Sequence, residues 1–354
     1  MLFLQILNLC RIKYPTFIGN IIDRFNPLSL KSYYQKIHSA YYEIAGFPDD
    51  YRLVNASDNV YHNQTSYYCY GNVYEEFQVS VIDISGRNNV TILIEECMFK
   101  SVSSSEVGGA IAFNCPGQVH QNRICSIKCS SKSGHHAYII SSSENAKHSI
   151  SETTITDQND SDNPSSLWMQ NYINMKTTNF SKLIMPRYSS FTFRNIKSAV
   201  LRFCTIAKTI VVDDADNSFT LYCGSEVESD FNVEYSNIIG NVYPKHGANF
   251  QCDVTITKCS IYSNTAKNGN ENGFFARDSE RGTLIIDNTY YDGHIEDNYT
   301  ILQAQDKFIN VINFLNLGDC KGVKIHDAFD NNCAPPDEEK GKEQLLTYIV
   351  LFLL

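Results

Sequence analysis

Apolar and polar residues alternate in short runs along most of the chain, and eight of these runs share one ending. They are VTILIEECMF (90–99), RICSI (123–127), ISETTI (150–155), MKTTNF (175–180), VLRFCTI (200–206), VEYSNI (233–238), VTITKCSI (254–261) and LIIDNTYY (284–291). Each closes on a small or thiol residue, then any residue, then a bulky apolar one. The pairs are Cys97/Phe99, Cys125/Ile127, Thr153/Ile155, Thr178/Phe180, Cys204/Ile206, Ser236/Ile238, Cys259/Ile261 and Thr289/Tyr291. The apolar anchors are separated by 28, 28, 25, 26, 32, 23 and 30 residues, a period of about 27. A second element follows several anchors: GGAIAF (108–113), GHHAYII (134–140), HGANF (246–250) and GFFA (273–276). Two elements recurring in phase define a repeat more securely than either alone.

The runs are short and rich in Val, Ile, Thr, Phe and Tyr, with the two-residue period of strands. Strict alternation puts Val254, Ile256 and Lys258 on one face and Thr255, Thr257 and Cys259 on the other. Asn, Ser, Gly and Asp clusters such as SNTAKNGNENG (263–273) separate them, which is turn chemistry. Short strands at this period, without intervening helices, predict an all-β chain. The expected architecture is a right-handed parallel β-helix of about eight or more coils, each of two or three strands. Neighbouring coils stack about 4.8 Å apart, so eight make a rod of roughly 40 Å. The Cys/Thr/Ser position then becomes a ladder of small side chains.

The ends differ from the middle. SLKSYYQKIHSAYYEIAG (29–46) places Tyr33, Ile37, Tyr41 and Ile44 at helical spacing, with Ser29 as cap and Gly46 as stop. The expected domains are residues 1–50, a segment whose helix caps the open coil end, 51–330, the β-helix, and 331–354, a polar linker and apolar tail. The tail comprises Leu345, Leu346, Thr347, Tyr348, Ile349, Val350, Leu351, Phe352, Leu353 and Leu354. Ten helical residues reach about 15 Å, half a bilayer's hydrocarbon core. The tail is read as membrane-associated, by insertion or as the signal for a lipid anchor; folding back onto the coil is the alternative.

Composition adds limits. The hydrophobic fraction of 43% and aromatic fraction of 12% are enough for an interior. With 29 Lys and Arg against 39 Asp and Glu, the chain carries −10 and has no basic cluster. No nucleic-acid partner is expected, because phosphate neutralisation supplies most of that affinity. Twelve cysteines occur without any C-x-x-C, so they read as buried thiols or as disulfides, with thiols preferred. Six N-x-S/T sequons, at Asn55, Asn63, Asn89, Asn159, Asn179 and Asn298, are candidate glycosylation sites and permit a cell-surface or secreted protein.

The sequence EECMFKSVSSSEVGGAIAF (95–113), with a weaker counterpart over 252–276, resembles the repeats of polymorphic outer-membrane-protein-like surface proteins. Those are right-handed β-helix proteins expanded in flagellate protist parasites, sharing the coil of pectate lyases. The resemblance covers residues 60–320 and implies a non-enzymatic surface protein that adheres to or recognises glycans or host surface proteins.

The same coil carries polysaccharide lyases and hydrolases, which makes carboxylates and histidines the candidate catalytic groups. Asp213, Asp214 and Asp216 form the densest acidic cluster, and paired carboxylates are what glycosidic hydrolysis uses. Gly134-His135-His136 is similar to the histidine turn of polygalacturonase-like enzymes, but here it precedes the aspartates. Asp157, Asp160 and Asp162 have the alternate spacing of a calcium loop without its Gly or Glu. Each reads better as a solvated turn, so no catalytic residue, metal ligand or cofactor is expected. Trp168, the single tryptophan, reads as core.

Overall fold

The computed structural model describes residues 52–54, 65–86, 88–158, 165–185, 190–212, 220–224, 229–244, 246–267, 274–277, 282–293 and 300–304. Among these residues the regular elements are all strands, each paired in parallel with its equivalent one turn away. They build a parallel β-solenoid. The expected capping helix (29–46) and the tail lie outside the described residues.

Each turn has three main faces. The first stacks Ile82–Ser85, Ile111–Asn114, Ala137–Ile140, Leu221–Gly224 and Ala248–Gln251. The second stacks Ser66–Tyr70, Val90–Glu95, Gly117–Asn122, Lys147–Ser151, Asp230–Glu234 and Asp253–Thr257. Two long strands, Leu167–Lys176 and Phe191–Arg202, run through both faces, with a register shift at Asn171 where the chain bends. The third stacks three-residue strands from Val73–Glu75 to Ser260–Tyr262. A narrow fourth sheet of two-residue strands, Ile184–Met185, Ile210–Val211, Val242–Tyr243 and Thr265–Ala266, joins them in the later turns.

The shared ending of the repeat marks the corner between the second and third faces. One residue per turn has positive φ there: Gly71, Glu96, Arg123, Glu152, Thr177, Phe203, Tyr235, Lys258 and Asn288. That conformation reverses the side-chain alternation, so the next residue points inward. Cys97, Thr153, Thr178, Cys204, Ser236, Cys259 and Thr289 are all buried in this way. Strict alternation, which placed Cys259 opposite Val254 and Ile256, therefore fails at Lys258. The small side chain also satisfies the corner backbone. Thr153, Ser236 and Thr289 donate to the carbonyls of Ser151, Glu234 and Asp287 at 2.8, 2.8 and 2.9 Å. The same hydroxyls accept from the N–H groups of Ile124, Cys204 and Cys259 on the preceding turn. Thiols fill the role less tightly, as with Cys97 to the Glu95 carbonyl at 3.3 Å.

One repeat is out of phase with the expected pairs. Cys125 stands opposite Met98 and Ser126 opposite Phe99, so Ile124 occupies the ladder position and Ser126 the anchor. A sequence pattern of small–x–apolar cannot distinguish ICS from CSI; the corner at Arg123 decides it.

The interior is built in rows. On the first face, Ile82, Ile111, Ala137, Leu167, Phe191, Leu221, Ala248 and Phe275 form one buried column. Ile84, Phe113, Ile139, Met169, Phe193, Cys223 and Phe250 form the next. Burying such side chains contributes about 1.5–3 kcal/mol each. Cys69, Cys97, Cys115, Cys129, Cys204, Cys223, Cys252 and Cys259 are buried thiols, and the sulfurs of Cys223 and Cys252 on neighbouring turns lie 3.0 Å apart.

Candidate functional site

Outward-facing positions of the first face also form rows, because parallel register keeps each position above its equivalent. One row runs Asp83, Ala112, Tyr138, Trp168, Thr192, Tyr222, Asn249. Beside it lie Ser85, Asn114 and Ile140, and then Gln170, Arg194, Gly224 and Gln251. The outward surface of the middle turns thus consists of aromatic rings, amides and one cation. Trp168 belongs to this surface and not to the core: its neighbours Leu167 and Met169 point inward and are buried, and Trp168 itself is only half-buried.

The side chains interlock for local reasons. Tyr138 and Trp168 stack across adjacent turns with ring centroids 5.7 Å apart and planes tilted by 34°. Thr192, the next residue in the row, is too small to continue the stack, which leaves a gap of two turns between Trp168 and Tyr222. Arg194, two residues along the same strand, fills it: its guanidinium carbon lies 5.0 Å from the Trp168 ring and 5.8 Å from the Tyr222 ring. Contacts of this kind contribute about 0.5–1 kcal/mol each when exposed. Tyr222 leans across Gly224 and donates its hydroxyl to Gln251 Oε1 at 3.0 Å. A Cβ at Gly224 would come within 2.5 Å of that hydroxyl, so the absent side chain permits the pose. Partial burial raises the Tyr138 pKa from its ordinary value, and the charge of Arg194 opposes the rise.

Arg194 differs from the other arginines whose side chains are described. Arg123 pairs with Glu96 and Glu152, and Arg202 pairs with Glu234. Arg194 is exposed, and among the described residues no carboxylate pairs with it.

Four histidines, His120, His135, His136 and His148, are buried, so the Gly134–His136 turn is not solvated as expected. His135 Nδ1 accepts from the Ser131 N–H at 3.0 Å, and His136 Nε2 lies 2.7 Å from Gln121 Oε1. His148 Nδ1 accepts from the Val119 N–H at 3.2 Å, and His120 Nδ1 lies 2.8 Å from Ser149 Oγ. Burial lowers the pKa of His120 to about 4 and of His136 to about 3. Burial, with His120 alongside, lowers His148 to about 3. Among the described residues no group of three or more His, Cys, Asp and Glu is arranged to hold a metal ion.

Other residues singled out from the sequence are placed as follows. Asp157 is an exposed corner residue with positive φ, and Asp160 and Asp162 lie outside the described residues. Asp213, Asp214 and Asp216 lie outside them too, as do the sequons at Asn55, Asn63, Asn159 and Asn298. Asn89 is exposed just before Val90–Glu95, whereas Asn179 is 2% exposed on a third-face strand. The surface around Arg194 was missed in the sequence. Its available signal was the alternation in LWMQ and FTFR, which places Trp168, Gln170, Thr192 and Arg194 opposite an apolar set.

No family model, curated protein or solved structure matches this chain. The β-solenoid class is therefore established by the fold itself; the resemblance to surface-protein repeats is supported as far as that fold.

Proposed function

We propose that this chain is a non-enzymatic recognition protein at the cell surface or in the secreted space, and that its first outward face binds glycans. The observation that carries the reading is the continuous outward surface of Tyr138, Trp168, Arg194, Tyr222, Asn249 and Gln251, held in register by the coil. Turns about 4.8 Å apart repeat at nearly the length of one sugar unit, so a linear glycan lying along the axis meets an equivalent position at each residue. Amides of Gln170 and Gln251 supply hydrogen-bonding groups for hydroxyls, and the rings supply apolar contact without a large exposed aliphatic patch. Rigid strands hold these groups in place, which limits the entropy lost on binding. The exposed Asn89 sequon is consistent with an exported chain, and membrane attachment through the tail at 345–354 belongs to the same proposal.

The single tryptophan sits within this surface, so its fluorescence reports on the site directly. The full chain is titrated with a panel of defined oligosaccharides, with product analysis to detect cleavage. Saturable change in Trp168 emission without cleavage, lost in Tyr222→Ala, is the expected result. Turnover, or no response to any glycan, overturns the reading.

A further inference from the structure

We infer that Arg194 is a preset receptor for a carboxylate carried by the bound glycan, so that the site selects acidic saccharides. The inference rests on reading this face as a glycan surface. Three features point to it. The guanidinium sits between the Trp168 and Tyr222 rings, at 5.0 and 5.8 Å from their centroids. Two flanking rings favour a flat guanidinium with its N–H edge directed outward, and they hold a long side chain that would otherwise lose its freedom on binding. The charge is exposed and pairs with no carboxylate among the described residues, unlike Arg123 and Arg202. On an acidic chain with net charge −10, an arginine that pairs with no carboxylate among the described residues and sits in an aromatic slot is an available oxyanion site.

The slot also distinguishes among oxyanions. A carboxylate is planar and offers two oxygens to the guanidinium fork in the plane between the rings. A sulfate ester is tetrahedral, so when two of its oxygens pair with the fork the remaining oxygen stands out of that plane. Gln251, which accepts from Tyr222, and Gln170, which stands beside Arg194 on the preceding turn, flank the fork with neutral amides suited to hydroxyls adjoining the acid group.

The test uses the full chain and three oligosaccharides of equal length: a uronate hexamer, the same hexamer with its carboxyls reduced to primary alcohols, and that reduced hexamer bearing sulfate esters. Wild type, Arg194→Lys and Arg194→Gln are titrated by Trp168 fluorescence and calorimetry, with melting temperatures as the folding control. The wild type is expected to bind the uronate at least tenfold more tightly than its reduced counterpart. Arg194→Lys should lose most of that ratio despite keeping the charge. Arg194→Gln should bind acidic and reduced forms equally, at the wild-type affinity for the reduced form. An unchanged ratio in Arg194→Gln overturns the inference, as does equal wild-type binding of acidic and reduced hexamers, which leaves the glycan reading standing. Tighter binding of the sulfated hexamer overturns the assignment to carboxylates. Binding of none overturns both readings.

Discussion

Lowering the pH from about 7.5 to about 5 should destabilise the solenoid through three histidines enclosed in adjacent turns. His120, His136 and His148 have folded-state pKa values of about 4, 3 and 3, all below the ordinary 6.5, because burial opposes the charged form. The unfolded chain therefore binds protons that the folded chain does not. The stability this contributes is fully present above the unfolded pKa. It is lost as pH falls from about 6.5 towards the folded values. At about pH 5 an unfolded histidine is almost fully protonated while these three remain nearly neutral, which costs about 2 kcal/mol each and on the order of 6 kcal/mol together. That is comparable to the whole stability of many domains. The assay is denaturant unfolding by circular dichroism at half-unit pH steps. Between about pH 6 and 4.5 each histidine adds a slope of about 1.3 kcal/mol per pH unit. Replacing His148, whose Nδ1 accepts from Val119, by Asn should lower the starting stability but remove about one proton from the slope. A slope unchanged in His148→Asn, or wild-type stability flat down to about pH 5, would refute the burial argument.

Three further outcomes follow from the packing. Phe180→Ala should cost about 3–5 kcal/mol in denaturant unfolding, since Phe180 is fully buried and meets the edge of Phe191 at 4.4 Å; a loss below about 1 kcal/mol would mean that this part of the core is loosely packed. Gly117→Ala should lower the melting temperature far more than Gly86→Ala. Both have positive φ, but a Cβ at Gly117 meets the Val90 carbonyl oxygen at 1.9 Å while Gly86 has open space. Alkylation of the native protein at neutral pH, mapped by mass spectrometry, should leave Cys115, Cys129, Cys204 and Cys259 unlabelled until denaturant is added. Burial raises their thiol pKa values to about 11, 11, 12 and 12, so little thiolate forms and little is reachable.

The sequence by itself determined the class of fold. The two-residue alternation, the turn clusters and a period near 27 leave few solutions besides a parallel coil, because a solenoid repeats its local chemistry once per turn. The Cys/Thr/Ser ladder was legible for the same reason: the corner needs a short donor for the carbonyl two residues back, as Thr153 and Ser236 show. Tertiary structure decided what periodicity leaves open. The reversal of facing at Lys258 and the slip at Ile124–Ser126 depend on where positive φ falls, and ordinary residues occupy those corners without a sequence mark. The surface at Arg194 shows the limit most clearly. Tyr138, Trp168, Arg194 and Tyr222 span 85 positions of sequence, and each alone is ordinary strand composition. Only stacking one turn on the next makes them neighbours, and only the small side chain of Thr192 and the bare Gly224 let the guanidinium and the ring settle between the turns. Local pattern specifies the coil because the same contacts recur at every rung; the site arises from departures from that pattern, and those acquire meaning only once the rungs are stacked.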